Sequence, residues 1–365
     1  MRPDNRAVLL AIPPVGGDLR EECEELGELA VVAGYFCAAV HSAIVRTPKA
    51  ATFIGAGVID AVGELAVQLN AKRIIVGTDL SSVQARNLEA RWRLPVIDRS
   101  DLILEIFESR ARGADSKLQV ELARCRRQLG RLAGRWTHLE RQRGGIGLRG
   151  GPGEKQIEID RRLLSEKIKK IERRVAAMSA RNTMARRRRT QGGALTAALV
   201  GYANAGKSTL FNALARADMP ANSRPFDTLE STARRVYANG ETAVVADTVG
   251  FIRNLPHELM AGFRATLREA AASDVIVVVA DAARADCDAQ LAVAHSTLDA
   301  IGAERGRRLL VMNKIDKIGT PARVSRAPCG TIRTVWLSGL SGEGIAGLKR
   351  ALGEAATAKA SYRRT

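Results

Sequence analysis

Short apolar runs alternate with amphipathic stretches through the first 113 residues. Val8–Ile12 and Arg73–Gly77 have the length and unbroken apolar character of buried strands. Leu19–Ala33 and Val58–Leu69 have helical spacing, and the first is acidic near its start, as a helix dipole favours. The pattern predicts a small α/β domain over residues 1–113.

The period changes over 114–190. Leu118, Leu122, Cys125, Leu129, Leu132, Trp136 and Leu139 are spaced alternately four and three apart, and Leu164, Ile168, Ile171, Val175 and Met178 repeat the spacing. Two heptad seams separated by a non-helical segment predict an antiparallel coiled-coil hairpin. Its tip, Gly144–Gly153, holds six glycines and a proline in ten residues and is not expected to continue a helix. The run Arg186–Arg189 followed by Gln191-Gly192-Gly193 reads as an exposed linker. From 191 to 357 strand and helix signals alternate as in a mostly parallel, doubly wound sheet, and 358–365 reads as a basic tail. The fold class predicted is α/β throughout, with the helical hairpin between the two α/β parts.

Charge sharpens this division. The chain has 365 residues and a formal net charge of +18. Residues 110–191 hold 24 Lys and Arg against 8 Asp and Glu, so the remainder is close to neutral. An excess so concentrated on a stiff hairpin points to a polyanionic partner, with nucleic acid the expected one. The bare backbone of the tip would let a phosphate chain approach closely. The candidate RNA-binding residues are Arg143, Gly145, Gly147, Arg149, Gly151, Gly153 and Lys155; a solvated connector is the bland alternative. Five scattered cysteines without a C-x-x-C pair suit a reducing cytoplasm. No apolar run nears the ~18 residues a membrane span needs, and no amphipathic anchor accompanies the basic arm.

The chemistry concentrates after residue 195. Leu195–Val200 is a strand candidate leading into Gly201-Tyr-Ala-Asn204-Ala205-Gly206-Lys207-Ser208-Thr209, a G-x-x-x-x-G-K-[ST] loop opening a helix. Glycines let backbone N–H groups turn toward phosphates, and the helix N-terminus adds positive potential. Lys207 is expected to reach the β- and γ-phosphates, and the Ser208 hydroxyl to ligate Mg²⁺. Asp247-Thr-Val-Gly250 ends a later strand candidate, with Asp247 as a second Mg²⁺ residue and the Gly250 N–H as a γ-phosphate sensor. Asn313-Lys314-Ile-Asp316 follows another strand. A carboxylate at Asp316 matches the adjacent guanine N1–H and 2-amino donors, a pair that adenine cannot supply, so GTP rather than ATP is expected. Ser338-Gly339-Leu340 is placed like a loop whose backbone meets the guanine oxygen. Thr228, with Thr232 as fallback, is the expected switch threonine over Mg²⁺ and γ-phosphate. Lys207, Thr228 and Gly250 are the candidate catalytic residues.

Two features temper the pattern. Phe251 stands where Ras-like switches place the glutamine that orients the attacking water, which predicts slow unassisted hydrolysis. Ile54-Gly-Ala-Gly-Val-Ile-Asp60 imitates a dinucleotide fingerprint but has Asp60 at the third glycine position, so it reads as a strand–turn–helix element.

Gly201–Asn212, the stretch FDTLESTARR, DTVGFIRNLP at 247–256 and NKID resemble the HflX GTPases. So do LSSVQARNLE (80–89), VIDRSDLILEIFESRA (96–111), LQVELAR (118–124) and, most distinctively, GGIGLRGGPGEKQIEIDRR (144–162). The resemblance implies a cytoplasmic GTPase, turning GTP into GDP and phosphate, that binds the large ribosomal subunit and, as several members do, dissociates or rescues stalled or idle ribosomes. It also implies a glycine-rich tip that enters ribosomal RNA. The tip carries one glycine more than the family pattern, Gly339 replaces a usual alanine, and only a short basic tail is expected where some members have a further domain. A monomer is expected. Two other readings are a GTP-timed regulatory module gripping another RNA or an acidic protein, and, less favoured for want of a second phosphate loop, an ATP-driven remodeller.

Overall fold

The computed structural model describes residues 5–142, 152–190, 193–215, 232–248, 250–251, 270–303 and 306–362. They fall into two compact units. One comprises Met1–Ser109 with Lys117–Arg174, the other Arg110–Ser116 with Val175–Thr365.

The first unit is built on four parallel strands: β1 (Arg6–Ala11), β2 (Phe36–Ser42), β3 (Arg73–Val76) and β4 (Val96–Asp98), in the order β2-β1-β3-β4. Helices α1 (Leu19–Val32), α2 (Ala56–Gln68), α3 (Ser82–Trp92) and α4 (Arg99–Arg110) connect and follow them. Val8, Leu10, Ile74 and Val76 pack with Ile59, Val62 and Leu88 in one core layer. Parallel strands buried on both faces read as the continuous apolar runs seen in the sequence. The segment before α2 is a correction to the expected strand–turn–helix. Lys49 and Phe53 form only an isolated bridge, and Phe53 sits at φ +66, which breaks any extended run into α2.

Two long helices follow, α5 (Ala114–Gln142) and α6 (Pro152–Thr190). Only nine residues separate them, too few to return along the 29-residue α5, so the pair is antiparallel. The seam residues Leu118, Leu122, Cys125, Ile168 and Ile171 are buried, and the ion pairs Lys167–Glu121 (2.9 Å) and Arg126–Glu172 (2.7 Å) join the helices. Helix α6 starts two residues inside the expected glycine tip, placing Gly153 and Lys155 in its first turn. Proline favours the first helical position, where its missing N–H costs nothing. The helix also runs through Arg186–Arg189, the expected linker, because arginine and alanine are good helix formers and no glycine intervenes before Gly192.

α5 is fastened to the first sheet by charge. Asp98, at the end of β4, is fully buried and receives the Arg127 guanidinium, Arg131 Nη2 (3.2 Å) and the Leu80 N–H (3.3 Å). Asp101 takes Arg127 Nε and Arg131 Nη2, both at 2.5 Å. Burial, with Asp101 alongside, pushes the Asp98 carboxyl up to about 6 against the pull of the two arginines.

The second unit carries a seven-stranded sheet, ordered β10-β11-β9-β8-β5-β7-β6. Its strands are β5 (Leu195–Gly201), β6 (Thr232–Ala238), β7 (Glu241–Asp247), β8 (Val275–Asp281), β9 (Arg307–Asn313), β10 (Arg323–Arg326) and β11 (Ile332–Trp336). The five central strands are parallel, and β6 and β10 are antiparallel edges. Helices α7 (Lys207–Ala215), α8 (Cys287–Ala300) and α9 (Ile345–Tyr362) accompany it. Leu348, Ala351, Leu352, Ala355 and Ala356 form one face of α9 at helical spacing and join the core with Leu199, Val245 and Val277. This helix runs well past residue 357, through most of the expected tail. Lys359 holds its last turn by donating to Asp274 (2.6 Å) and the Ala194 carbonyl (3.1 Å).

Candidate functional site

In an open parallel sheet, ligands meet the carboxyl ends of the strands. The ends of β5, β7, β8, β9 and β11 bring together most residues singled out in the sequence. The turn after β5 uses left-handed backbone at Asn204 (φ +64) and Gly206 (φ +86), and α7 begins at Lys207. Gly201 lies so close to β8 that a β-carbon there would fall 2.1 Å from the Val279 carbonyl oxygen. Only glycine fits these two crowded positions, 201 and 206.

Lys207 is buried and folds back over its loop, donating to the carbonyls of Gly201 (3.1 Å) and Tyr202 (2.8 Å). Burial lowers its ammonium to about 8; Asp247 opposes the shift and Lys314 adds to it. Ser208 Oγ donates to Asp247 Oδ2 at 2.7 Å. A hydroxyl and a buried carboxylate so placed form an all-oxygen donor pair, the set a hard divalent cation takes. Thr209 follows in the first turn of α7.

The D-x-x-G segment is stitched to the same loop. Thr248 Oγ1 donates to Leu199 O (2.7 Å), Phe251 N–H to Gly201 O (2.9 Å) and Ala203 N–H to Phe251 O (2.6 Å). Gly250 is backbone-thin where it passes the loop: a β-carbon would meet Ala203 Cα at 2.8 Å and Lys207 Nζ at 2.9 Å. The Phe251 ring is buried, so this position presents no polar side chain to a water. Thr232 opens β6 directly opposite Asp247 in the antiparallel ladder. Thr228 and the tip residues Arg143, Gly145, Gly147, Arg149 and Gly151 lie outside the described residues.

Asn313 clasps two loops at once. Its Nδ2 donates to Ala205 O (2.8 Å) and its Oδ1 accepts from Gly339 N–H (2.9 Å). Asp316 is exposed in a single 3₁₀ turn, Ile315–Lys317. Ser338 is buried and its Oγ accepts from Ser341 N–H (3.1 Å), closing the loop that presents Gly339 and Leu340. Gly339 packs against the backbone of Leu210, where a β-carbon would stand at 3.2 Å. Two polar groups of the site were not singled out from sequence: Thr248, and Asp281 at the end of β8, whose carboxylate receives Lys314 Nζ at 2.7 Å. The signal for Asp281 was its position, an acid ending an apolar run at a strand's carboxyl end.

A phosphate loop, a D-x-x-G segment and an N-K-x-D segment at the carboxyl ends of β5, β7 and β9 define a P-loop GTPase. Family models match most of the chain between residues 20 and 314: "GTP-binding GTPase N-terminal" over 20–108, "GTP-binding GTPase Middle Region" over 110–189 and "50S ribosome-binding GTPase" over 196–314. The chain is 39% identical to GTPase HflX of Magnetococcus marinus, covering 97% of this chain and 83% of that protein. It is 42% identical to GTPase HflX of Escherichia coli, covering 92% and 79%. Among solved structures, SsGBP in complex with GDP shares the fold at TM-score 0.52 and 21% identity, covering 97% of this chain and 99% of that one. The chain belongs to the HflX family of GTPases and is a GTP-hydrolysing enzyme. Among the described residues no helix is long and apolar enough to cross a membrane.

Proposed function

We propose that this GTPase works on the large ribosomal subunit, where it dissociates stalled or idle ribosomes and hydrolyses GTP fastest when docked. The observation that carries this is the pairing of a guanine-nucleotide site with a basic helical arm. The family description of residues 196–314 as a 50S ribosome-binding GTPase supports the same partner.

In this reading the backbone of Gly201, Asn204, Ala205 and Gly206 wraps the β-phosphate, with Thr209 beside the α-phosphate. Lys207 carries its charge to the β- and γ-phosphates. Gly250 N–H senses the γ-phosphate. Asp316 accepts from the guanine, Asn313 keeps the phosphate and guanine loops in register, and Ser338, Gly339 and Leu340 border the guanine oxygen. Ser208 and Asp247, with Thr228 from the switch segment, would hold Mg²⁺. When bound, Mg²⁺ neutralises charge building between the β- and γ-phosphates. Phe251 cannot orient water, so the missing group comes from elsewhere in the chain or from the partner.

Sedimentation with purified large subunits tests the docking. Binding is expected with a non-hydrolysable GTP analogue, weaker with GDP, and falling steeply with salt because phosphate contacts release counterions. Equal sedimentation with an acidic protein, or none with subunits in any nucleotide state, overturns it.

A further inference from the structure

Lys314 occupies an uncommon backbone position for a side chain of its size. It sits at φ +65, ψ +35, the left-handed region that costs non-glycine residues free energy and persists where the surroundings enforce it. The backbone of the turn is braced by the Lys317 N–H on Lys314 O at 3.0 Å and the Ile315 N–H on Leu337 O at 3.4 Å, and the side chain has a partner of its own. Asp281 Oδ2 receives Lys314 Nζ at 2.7 Å, and Asp281 Oδ1 is itself held by the Ala283 N–H at 3.1 Å. The carboxylate is nearly buried, with 7% of its side chain exposed, so the pair is poorly screened.

The strand ladder fixes this pair. Asp281 stands opposite Asn313 in the parallel β8–β9 register, and the Ala282 N–H donates to Asn313 O at 2.9 Å. Between the carboxylate and its own backbone, the lysine stem passes the phosphate loop. Its Cε lies 3.8 Å from the point a β-carbon on Gly206 would occupy. Asp281 therefore draws the ammonium to the end of β8 and lays the methylene stem along the loop, beside the segment that presents Asp316. It also sets a negative charge next to one of two lysines that otherwise repel each other across the loop, Lys314 and Lys207.

We propose that Asp281 is a positioning residue for nucleotide binding, acting through Lys314 to hold one wall of the guanine site. Asp281 touches no reacting atom. It sets how tightly GTP and GDP bind rather than how fast the bound phosphate is cleaved. The inference rests on the guanine-nucleotide reading of this site, which binding of a fluorescent GDP analogue by the unaltered protein tests by itself.

The experiment is a double-mutant cycle with D281N and K314M on the full chain, reading fluorescent-GDP affinity and steady-state GTP turnover. D281N is expected to raise the GDP dissociation constant and the KM for GTP together, by about tenfold, in line with the loss of a charge-assisted bond. The loss in kcat should stay under about threefold. K314M should weaken GDP comparably, and adding D281N to it should change little, since the carboxylate then has no lysine to place. Should D281N fail to fold, the comparison of K314M with D281E, which keeps the charge and should recover most of the affinity, carries the test. Unchanged GDP affinity in D281N, additive losses in the double variant, or a loss confined to kcat overturns the proposal.

Discussion

The carboxamide nitrogen of Asn313 lies 2.3 Å from the point a β-carbon on Gly206 would occupy. That nitrogen also donates to Ala205 O, so the residue that joins the guanine and phosphate loops does so by filling the space a side chain at 206 would need. Gly206 further requires φ +86. G206A should therefore push Asn313 off both loops and weaken GDP at least tenfold, with far-UV circular dichroism unchanged. Near-normal GDP affinity in this variant would show that the clasp is dispensable.

Asp316 is exposed in the structure, open to receive a base. D316N replaces one of two acceptor oxygens with a donor, leaving one guanine N–H donor unmatched and suiting the extra carbonyl of xanthine. Competition binding should show GDP weakened by ~10²-fold or more and XDP strengthened.

Lys207 sets a pH dependence. Burial lowers its ammonium to about 8 in the nucleotide-free protein, and phosphate beside it will raise that value. Below pH 8 the lysine is charged with or without nucleotide, so affinity is flat. Above pH 8 the free protein loses the proton and binding must take one up, so affinity falls by up to ~tenfold per pH unit. Calorimetry at pH 8.5 in two buffers of different ionisation enthalpy should register that uptake. For folding the sign is also fixed: the unfolded lysine keeps its proton to higher pH, so nucleotide-free stability should rise between about pH 8 and the ordinary lysine value.

Much of this site was legible in the sequence because its chemistry demands particular residues at short, fixed spacing. Gly201 to Ser208 spans eight residues and Asn313 to Asp316 four. Asp281 escaped because its meaning depends on β8 and β9 being neighbours, which brings residues 33 apart into contact. The heptad seams announced α5 and α6, yet their ends were misplaced at Pro152 and Arg186–Arg189, where helix propensity outweighed the look of a linker. The Asp98, Arg127 and Arg131 cluster was invisible for the same reason as Asp281: its members are about 30 residues apart and meet only once α5 lies against β4.

That cluster makes a separate prediction. Arg127 supplies charge to both Asp98 and Asp101, and its removal leaves two carboxylates close together with Asp98 fully buried. Arg131 still reaches both carboxylates, so R127A should lower the stability of the first unit by about 2 kcal/mol in urea denaturation, the scale of a lost hydrogen bond to a charged group. A change under about 0.5 kcal/mol, the size of an exposed ion pair, would mean α5 is held by its apolar seam alone.

On the proposed reading the large ribosomal subunit completes a GTPase site that Phe251 leaves without a water-orienting side chain. GTP turnover should be measured for the purified protein alone, and with purified large subunits at low and moderate salt. Turnover should be slow for the protein alone, rise tenfold or more with subunits, and lose that stimulation as salt weakens RNA contacts. Fast turnover without subunits and indifference to adding them would contradict it.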